Sequence, residues 1–269
     1  MVSIIIVNYN SGWYLKSCVD SIMSNSDLPL ELLIIDNNST DQSCHFLLTQ
    51  KNSRIHLIPN QTNLGFSKAC NQGLNKACGD FFITMNPDIL VPKGWLTRLL
   101  WHLHNNPRTL AVGPKGIGIG GEQSPGPLSF SSNLAAADRL FAKKYYHQSE
   151  LTKFLIGCLL LFDKRLLKNI GYFDENLPLG ADDFDLSLRV RQAGFELRIA
   201  CDLLIHHFVH VSFNRSNLEE SRRMESDSYK HFRQKWSKEL QQYGWEKLFN
   251  DPTPIFKGEK PFLNHTFLH

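Results

Sequence analysis

Residues 2–7 (Val-Ser-Ile-Ile-Ile-Val) form an apolar run of the kind that a strand buried on both faces requires. Leu15, Cys18, Val19, Ile22 and Met23 follow at helical spacing, so the chain opens with a βα unit. The pairing then repeats. Residues 31–35 read as a second strand, and Ser39 or Thr40 is placed to cap a helix reaching about Gln50. Residues 54–58 read as a third strand. It leads through Asn63-Leu64-Gly65 into a helix whose Phe66, Ala69, Cys70, Gly73 and Leu74 share one face. A fourth strand over 81–85 ends at Asn86-Pro87-Asp88, followed by an amphipathic helix near 95–103 and a short fifth strand at 110–113. Short strands alternating with helices predict a parallel sheet covered by helices.

From 114 to 127 the chain turns to Gly, Pro and Ser, which predicts a loop or a boundary between half-domains. Beyond it, 154–162 reads as a strand, 163–170 as a short helix, and 183–193 as a helix closed by Gly194. Two strands at 196–200 and 203–207 come next. Residues 217–240 mix charge with Met224, Tyr229, Phe232 and Trp236, predicting an amphipathic helix docked on the body.

Composition narrows the class of protein. The 269 residues are 42% hydrophobic and 20% charged, enough for a real core, which excludes a disordered or fibrous chain. Lys and Arg number 29 against 26 Asp and Glu, with no long block of one sign, so no nucleic-acid partner is expected. The longest apolar stretch, 154–162, is broken by Gly157 and falls short of the roughly 20 residues of a membrane span. No basic leader precedes the first strand, which predicts a cytoplasmic location. Six scattered cysteines without a Cys-x-x-Cys pair read as reduced core thiols.

Ligands of open parallel sheets bind beyond the carboxyl ends of the strands. Those ends are consistently polar here: Asn8-Tyr9-Asn10, Asp36-Asn37-Asn38-Ser39-Thr40-Asp41 and Asn86-Pro87-Asp88. Each alone reads equally as a turn. Three in succession make a hydrogen-bonding and metal-binding rim suited to a nucleotide. The Gly-x-Gly-x-Gly-Gly at 116–121 does not open a helix after the first strand, so a dinucleotide fingerprint is excluded. There is no Gly-Lys-Ser or Gly-Lys-Thr phosphate loop and no nucleophile elbow.

Four stretches together resemble a known family. They are residues 2–10; Ile35 to Asp41 with Asn63-Leu64-Gly65-Phe66 and Asn71; Met85-Asn86-Pro87-Asp88; and Ile170-Gly171-Tyr172-Phe173-Asp174-Glu175 followed by Asp182-Asp183-Phe184-Asp185-Leu186 and Arg189. In these the chain resembles the inverting glycosyltransferases of family 2, which have the GT-A fold, and the likeness covers residues 1 to about 215. It implies an α/β protein with a mixed, mostly parallel central sheet flanked by helices. It implies a single catalytic domain over 1–215, with a nucleotide-binding half (1–113), an acceptor half (114–215) and a helical C-terminal extension (216–269). The sequence beside Asp36 and Asp88 is similar to rhamnosyltransferase-like members, which implies cell-surface polysaccharide or glycolipid synthesis.

The resemblance also implies roles. The reaction is hexosyl transfer from a nucleotide diphospho-sugar donor to a hydroxyl on a saccharide or lipid-linked acceptor, dependent on Mn2+ or Mg2+. Asp88 matches the last Asp of the family's Asp-x-Asp metal motif, with Asn86 at the first position removing one negative charge. Asp36 matches the residue that bonds the donor base, with Asn8 and Asn10 on the same rim. Asn63 and Asn71 either contact the nucleotide or cap and brace the following helix. Asp183 matches the catalytic base, with Asp182 beside it; both also read as a helix N-cap pair. His207 matches the closing His that completes the metal site. His206 points the other way in an alternating strand.

Two rivals stand beside this reading. A nucleotidyltransferase shares the architecture but needs a basic Gly-rich loop where this chain has Asn8-Tyr9-Asn10. A degenerate, non-catalytic nucleotide-binding module is the other. The tail aromatics Trp236, Tyr243, Trp245, Phe249 and Phe256 either pack on the body or touch the inner face of a membrane peripherally. The sugar and the oligomeric state are not encoded legibly.

Overall fold

The computed structural model describes residues 1–126, 133–209 and 218–261. Its strands are β1 (Val2–Asn8), β2 (Leu30–Asp36), β3 (Ile55–Pro59), β4 (Phe81–Met85), β5 (Ile89–Leu90), β6 (Thr109–Ile117), β7 (Ser149–Thr152), β8 (Leu159–Asp163) and β9 (Glu196–His207). The helices are α1 (Trp13–Asn25), α2 (His45–Leu48), α3 (Phe66–Lys76), α4 (Trp95–His104), α5 (Leu134–Lys144), α6 (Lys164–Ile170), α7 (Asp182–Gln192), α8 (Leu218–Lys235) and α9 (Ser237–Phe249).

The strands form one mixed sheet in the order β3-β2-β1-β4-β8-β6-β9-β5, with β7 also paired to β9. The first four in that order are parallel. β8 is antiparallel to both β4 and β6 and joins them to the parallel pair β6 and β9. This is the expected α/β class, and the sheet passes without interruption from the first half of the chain into the second.

All seven residues of β1 are buried, because the sheet is covered on both faces. Successive side chains go to opposite layers. Ile4 and Ile6 join a core with Leu15, Ile22 and Trp95, and Ile5 and Val7 join another with Ala69, Leu74 and Val190. Gly73 lets α3 lie directly on β1, since a Cβ there would stand 2.6 Å from Ile5 Cγ2. A third core holds Phe232 of α8, Trp236 between the two helices, and Leu248 and Phe249 of α9 against Leu177, Ala181 and Leu188, so this part of the tail packs on the body.

Several local expectations are corrected. The strand expected over 154–162 begins only at Leu159. The N–H groups of Leu155, Ile156 and Gly157 are taken instead by Ser187 Oγ, Gln123 Oε1 and Asp183 Oδ2, which pull the segment off the sheet. The helix expected from residue 40 shrinks to His45–Leu48. The N–H groups of Thr40 and Asp41 go to Asn10 Oδ1, and Ser39 Oγ goes to Asp36, so those residues build a loop. β6 continues to Ile117, into the Gly-rich stretch. The strands expected at 196–200 and 203–207 are one bent strand, β9, whose pairing with β6 slips between Pro114 and Lys115. The helix expected over 217–240 is two, α8 and α9, and residue 217 lies outside the described residues. β5, β7 and α5 had no counterpart in the pattern of the sequence.

Candidate active site

A cavity of about 310 Å³ opens at the carboxyl ends of β1 and β4 and is flanked by α7 and α8. Of the predicted site residues, Asn63, Asn86, Asp88, Asp182, Asp183 and His207 line it. Tyr9, Asn37 and Gly157 line it too, as do Ser221 and Met224 of α8. Tyr9 and Asn37 sit inside the polar strand ends already recognised, and α8 lies within the helix expected over 217–240, but nothing local in the sequence announces that it lines the cavity.

Asp88 follows β4 through Asn86 and Pro87. β5 then pairs antiparallel with the end of β9, matching Ile89 with His207, and Phe208 donates its N–H to the Asp88 carbonyl at 3.1 Å. These contacts bring His207 Nε2 to 3.3 Å from Asp88 Oδ1 and 3.4 Å from Asn86 Nδ2. His206 turns away, its ring 4.3 Å from that of Phe208, and its pKa is lowered by burial and by His207. Among the described residues no group of three His, Cys, Asp or Glu converges as a closed metal cage. Asp88 and His207 nevertheless supply a hard oxygen and an imidazole nitrogen at one point. A site of this kind, completed by substrate phosphate and water, fits Mn2+ or Mg2+.

The acid pair reaches the cavity through backbone geometry. Gly180 and Ala181 both lie in the left-handed region (φ +77° and +61°), and the turn they make starts α7 with Asp182 and Asp183. Asp183 Oδ2 accepts the Gly157 N–H at 3.0 Å, and its Oδ1 accepts the Phe184 N–H at 2.9 Å. Burial pushes the Asp183 carboxyl up to about 6 against the pull of those N–H groups. Asp182 is raised well above the usual carboxylate range by burial and by the charges of Asp183 and Asp185. Asp185 itself is a structural anchor, bonded by Arg189 Nε at 2.7 Å and Trp236 Nε1 at 2.9 Å.

The remaining predicted residues stand behind the cavity wall. Asn8 is fully buried and donates to Asp36 Oδ1, Ser39 and Ser43. Asn10, with φ +51°, accepts from the N–H groups of Thr40 and Asp41. Asp36 is tied to Asn8 and Ser39, and its Oδ2 has a long 3.4 Å bond from the Ser39 N–H. Asn71 both donates to and accepts from the backbone of Phe173 and also donates to Glu175, so it braces α3 against that segment. Asn63 faces the cavity and accepts the Gly65 N–H through Oδ1.

Comparison with known proteins identifies the family and the fold. Residues 3–171 match the family described as Glycosyl transferase family 2. An uncharacterised glycosyltransferase of Haemophilus influenzae is 30% identical over 115 residues, 42% of this chain and 36% of that protein. The match thus spans little more than a third of that relative's length. An N-acetylglucosaminyl-diphospho-decaprenol L-rhamnosyltransferase of Mycobacterium tuberculosis is 24% identical over 237 residues, 78% of this chain and 77% of that protein. Among solved structures, the mannosyltransferase PcManGT of Pyrobaculum calidifontis, in complex with GDP-Man and Mn2+, superposes with a TM-score of 0.61 at 20% identity, covering 89% of this chain and 64% of that one. S. aureus TarS 1–349 in complex with UDP-GlcNAc gives 0.58 at 18% identity, covering 89% and 72%. With the matched residues spanning well over half of its length and the sheet shared with these structures, the chain belongs to glycosyl transferase family 2 and has the GT-A fold.

Proposed function

We propose that this protein transfers a hexosyl unit from a nucleotide diphospho-sugar to an acceptor hydroxyl with inversion, in a single displacement. The observation that carries this reading is that Asp183, whose carboxyl burial pushes up to about 6, lines the same cavity as Asp88 and His207. The acceptor oxygen attacks the anomeric carbon, the bond from that carbon to the diphosphate oxygen breaks, and Asp183 takes the hydroxyl proton as general base. One base suffices, and no covalent enzyme intermediate forms. Asp88 and His207 would hold Mn2+ or Mg2+, which neutralises charge on the leaving diphosphate. Among the described lining residues there is no Lys or Arg. Asn63, with Tyr9 and Asn37, meets the nucleoside; Asp36, Asn8 and Asn10 hold that wall in place.

The name of the mycobacterial relative supports a rhamnosyl-type donor and a lipid-linked or saccharide acceptor in cell-surface polysaccharide synthesis. Such an acceptor implies work at the cytoplasmic face of a membrane, in peripheral contact with it. No described helix is long and apolar enough to cross one.

The test is to incubate the protein with Mn2+ and a panel of nucleotide sugars and to follow donor hydrolysis and transfer. Asp183→Asn should abolish turnover while donor binding is retained. Unchanged transfer by Asp183→Asn removes the base assignment, and nucleoside diphosphate binding without metal and without turnover favours the degenerate module.

A further inference from the structure

The acid pair does not stand on α7 alone. The strap before it, residues 177–181, is stretched between two buried serines on two different helices. Ser67 of α3 donates to the Leu177 carbonyl at 2.7 Å. Phe66 donates its N–H to the Pro178 carbonyl at 2.5 Å, and a Cβ on Gly65 would stand 2.6 Å from that oxygen, so strap and helix are in direct contact. At the other end Ser228 of α8 accepts the Leu179 N–H at 3.1 Å and donates to the Met224 carbonyl at 2.9 Å. Both serines are fully buried. The ends of the strap are fixed apolar groups too, with Leu177 and Ala181 in the core built by α8 and α9. The left-handed Gly180 and Ala181 make the turn that joins Leu179 to Asp182, so the strap and the carboxylates are separated by two residues only.

We propose that Ser228 and Ser67 are positioning residues for the reaction: they clamp the strap between the donor-side helix α3 and the C-terminal helix α8, and the clamp sets where Asp182 and Asp183 stand. The proposal rests on the reading of Asp183 as the base. It makes α8 part of the catalytic apparatus. Removing the Ser228 hydroxyl leaves the half-buried Leu179 N–H without that partner, and the strap relaxes to find another. Small misplacements of a catalytic group are costly in rate even where the fold persists.

The titratable groups that interact with the acid pair are Asp185 on its own helix, Tyr229 on α8, Cys70 on α3 and Cys158 just before β8. Ser228→Ala changes none of their charges, so a changed titration of the pair reports displacement. The experiment compares Ser228→Ala, Ser67→Ala and, as a control in the opposite core, Ile22→Val. Two measurements are made: kcat and donor KM, and the carboxyl 13C titration of Asp183 identified with Asp183→Asn. Both serine variants should lower kcat by between about ten- and a hundredfold with donor KM within twofold, and both should move the titration midpoint. Ile22→Val should do neither at a matched loss of Tm. If Asp183→Asn keeps its turnover the base reading fails, yet a moved midpoint in Ser228→Ala still upholds the clamp. A midpoint unmoved in both serine variants overturns the clamp, whatever the role of Asp183.

Discussion

Gly157 donates its N–H to Asp183 Oδ2 at 3.0 Å, and a methyl group on Gly157 would stand 3.2 Å from Asp183 Cβ. The same loop therefore holds the carboxylate and leaves no room beside it. Gly157→Ala should shift the loop and Asp183 apart by a few tenths of an ångström, and because the Asp183 Cβ is fixed to the helix backbone, side-chain rotation alone does not relieve the contact. The expected stability cost is about 1 kcal/mol, the low end for overpacking. The expected loss of kcat is larger, roughly tenfold or more. Urea midpoints and initial rates separate the two effects; a rate loss no greater than the stability loss implies would show that the position of Asp183 is not critical.

The acid pair sets opposite pH trends for stability and turnover. Burial raises Asp183 to about 6, whereas in the unfolded chain an Asp titrates near about 3.9. Between those values the folded protein binds more protons than the unfolded chain, so stability falls as pH rises through this window, and Asp182, raised by burial as well, extends the fall above it. The effect should be on the order of 1–2 kcal/mol after allowing for partial exposure. A general base needs the ionised form, so kcat/KM should rise through the same window, with macroscopic midpoints that belong to Asp182 and Asp183 jointly. Denaturation at pH 5 and pH 8, with and without Asp183→Asn, checks the first trend. A rate profile flat from pH 5 to 8 would contradict the second.

The parts of this architecture legible in the sequence were those in which one physical demand dominates. A strand buried on both faces must be apolar throughout, which is why β1, β2 and β4 could be read to within a residue or so. Asp88, Asp183 and His207 were singled out by the resemblance to family 2 and not by their own positions, since each alone reads equally as a turn, a cap or a strand-end residue; their convergence on one cavity appears only in the fold. Asn8, Asn10 and Asp36 were harder, since short polar side chains serve equally as ligand contacts and as loop braces. Here their hydrogen bonds run to one another and to Ser39 and Thr40. The departure of residues 154–158 from the sheet was not legible at all. Their apolar pattern suits a strand, and the three acceptors that draw the backbone away, Gln123, Asp183 and Ser187, lie about 30 residues off in either direction.

Arg191 of α7 is almost wholly buried, donates to Glu259 Oε1 at 2.5 Å and to the Leu248 carbonyl at 2.6 Å, and stacks on Phe256. The pair ties the segment after α9 to α7. Removing one member leaves the other charge buried without a partner. Glu259→Ala should therefore cost about 3–5 kcal/mol. The exposed pair of Lys16 and Asp20, also at 2.5 Å, makes the comparison, and Lys16→Ala should cost no more than about 0.5 kcal/mol. Chemical denaturation of both variants checks the contrast, and similar losses in the two would mean that the tail is not held through Arg191.

Asn86 offers the sharpest test of the cation. Its Nδ2 lies 3.4 Å from His207 Nε2, and its N–H is fixed to the Cys158 carbonyl at 2.8 Å, so a carboxylate put there has little freedom to turn away. Asn86→Asp adds a charged, hard oxygen beside Asp88 and His207. Without metal it also adds like-charge repulsion with Asp88. The variant should bind Mn2+ alone about tenfold more tightly, a gain of about 1.4 kcal/mol. It should also gain more in Tm than the unaltered protein when Mn2+ is added, because the ion binds the folded state and relieves the repulsion there. Asp88→Asn should do the reverse, removing the Mn2+ dependence of nucleoside diphosphate binding. Calorimetry with Mn2+ alone, and then with a nucleoside diphosphate, measures all three. Equal Mn2+ affinity in Asn86→Asp, Asp88→Asn and the unaltered protein would place the cation away from these residues and leave the diphosphate charge to be met by other groups.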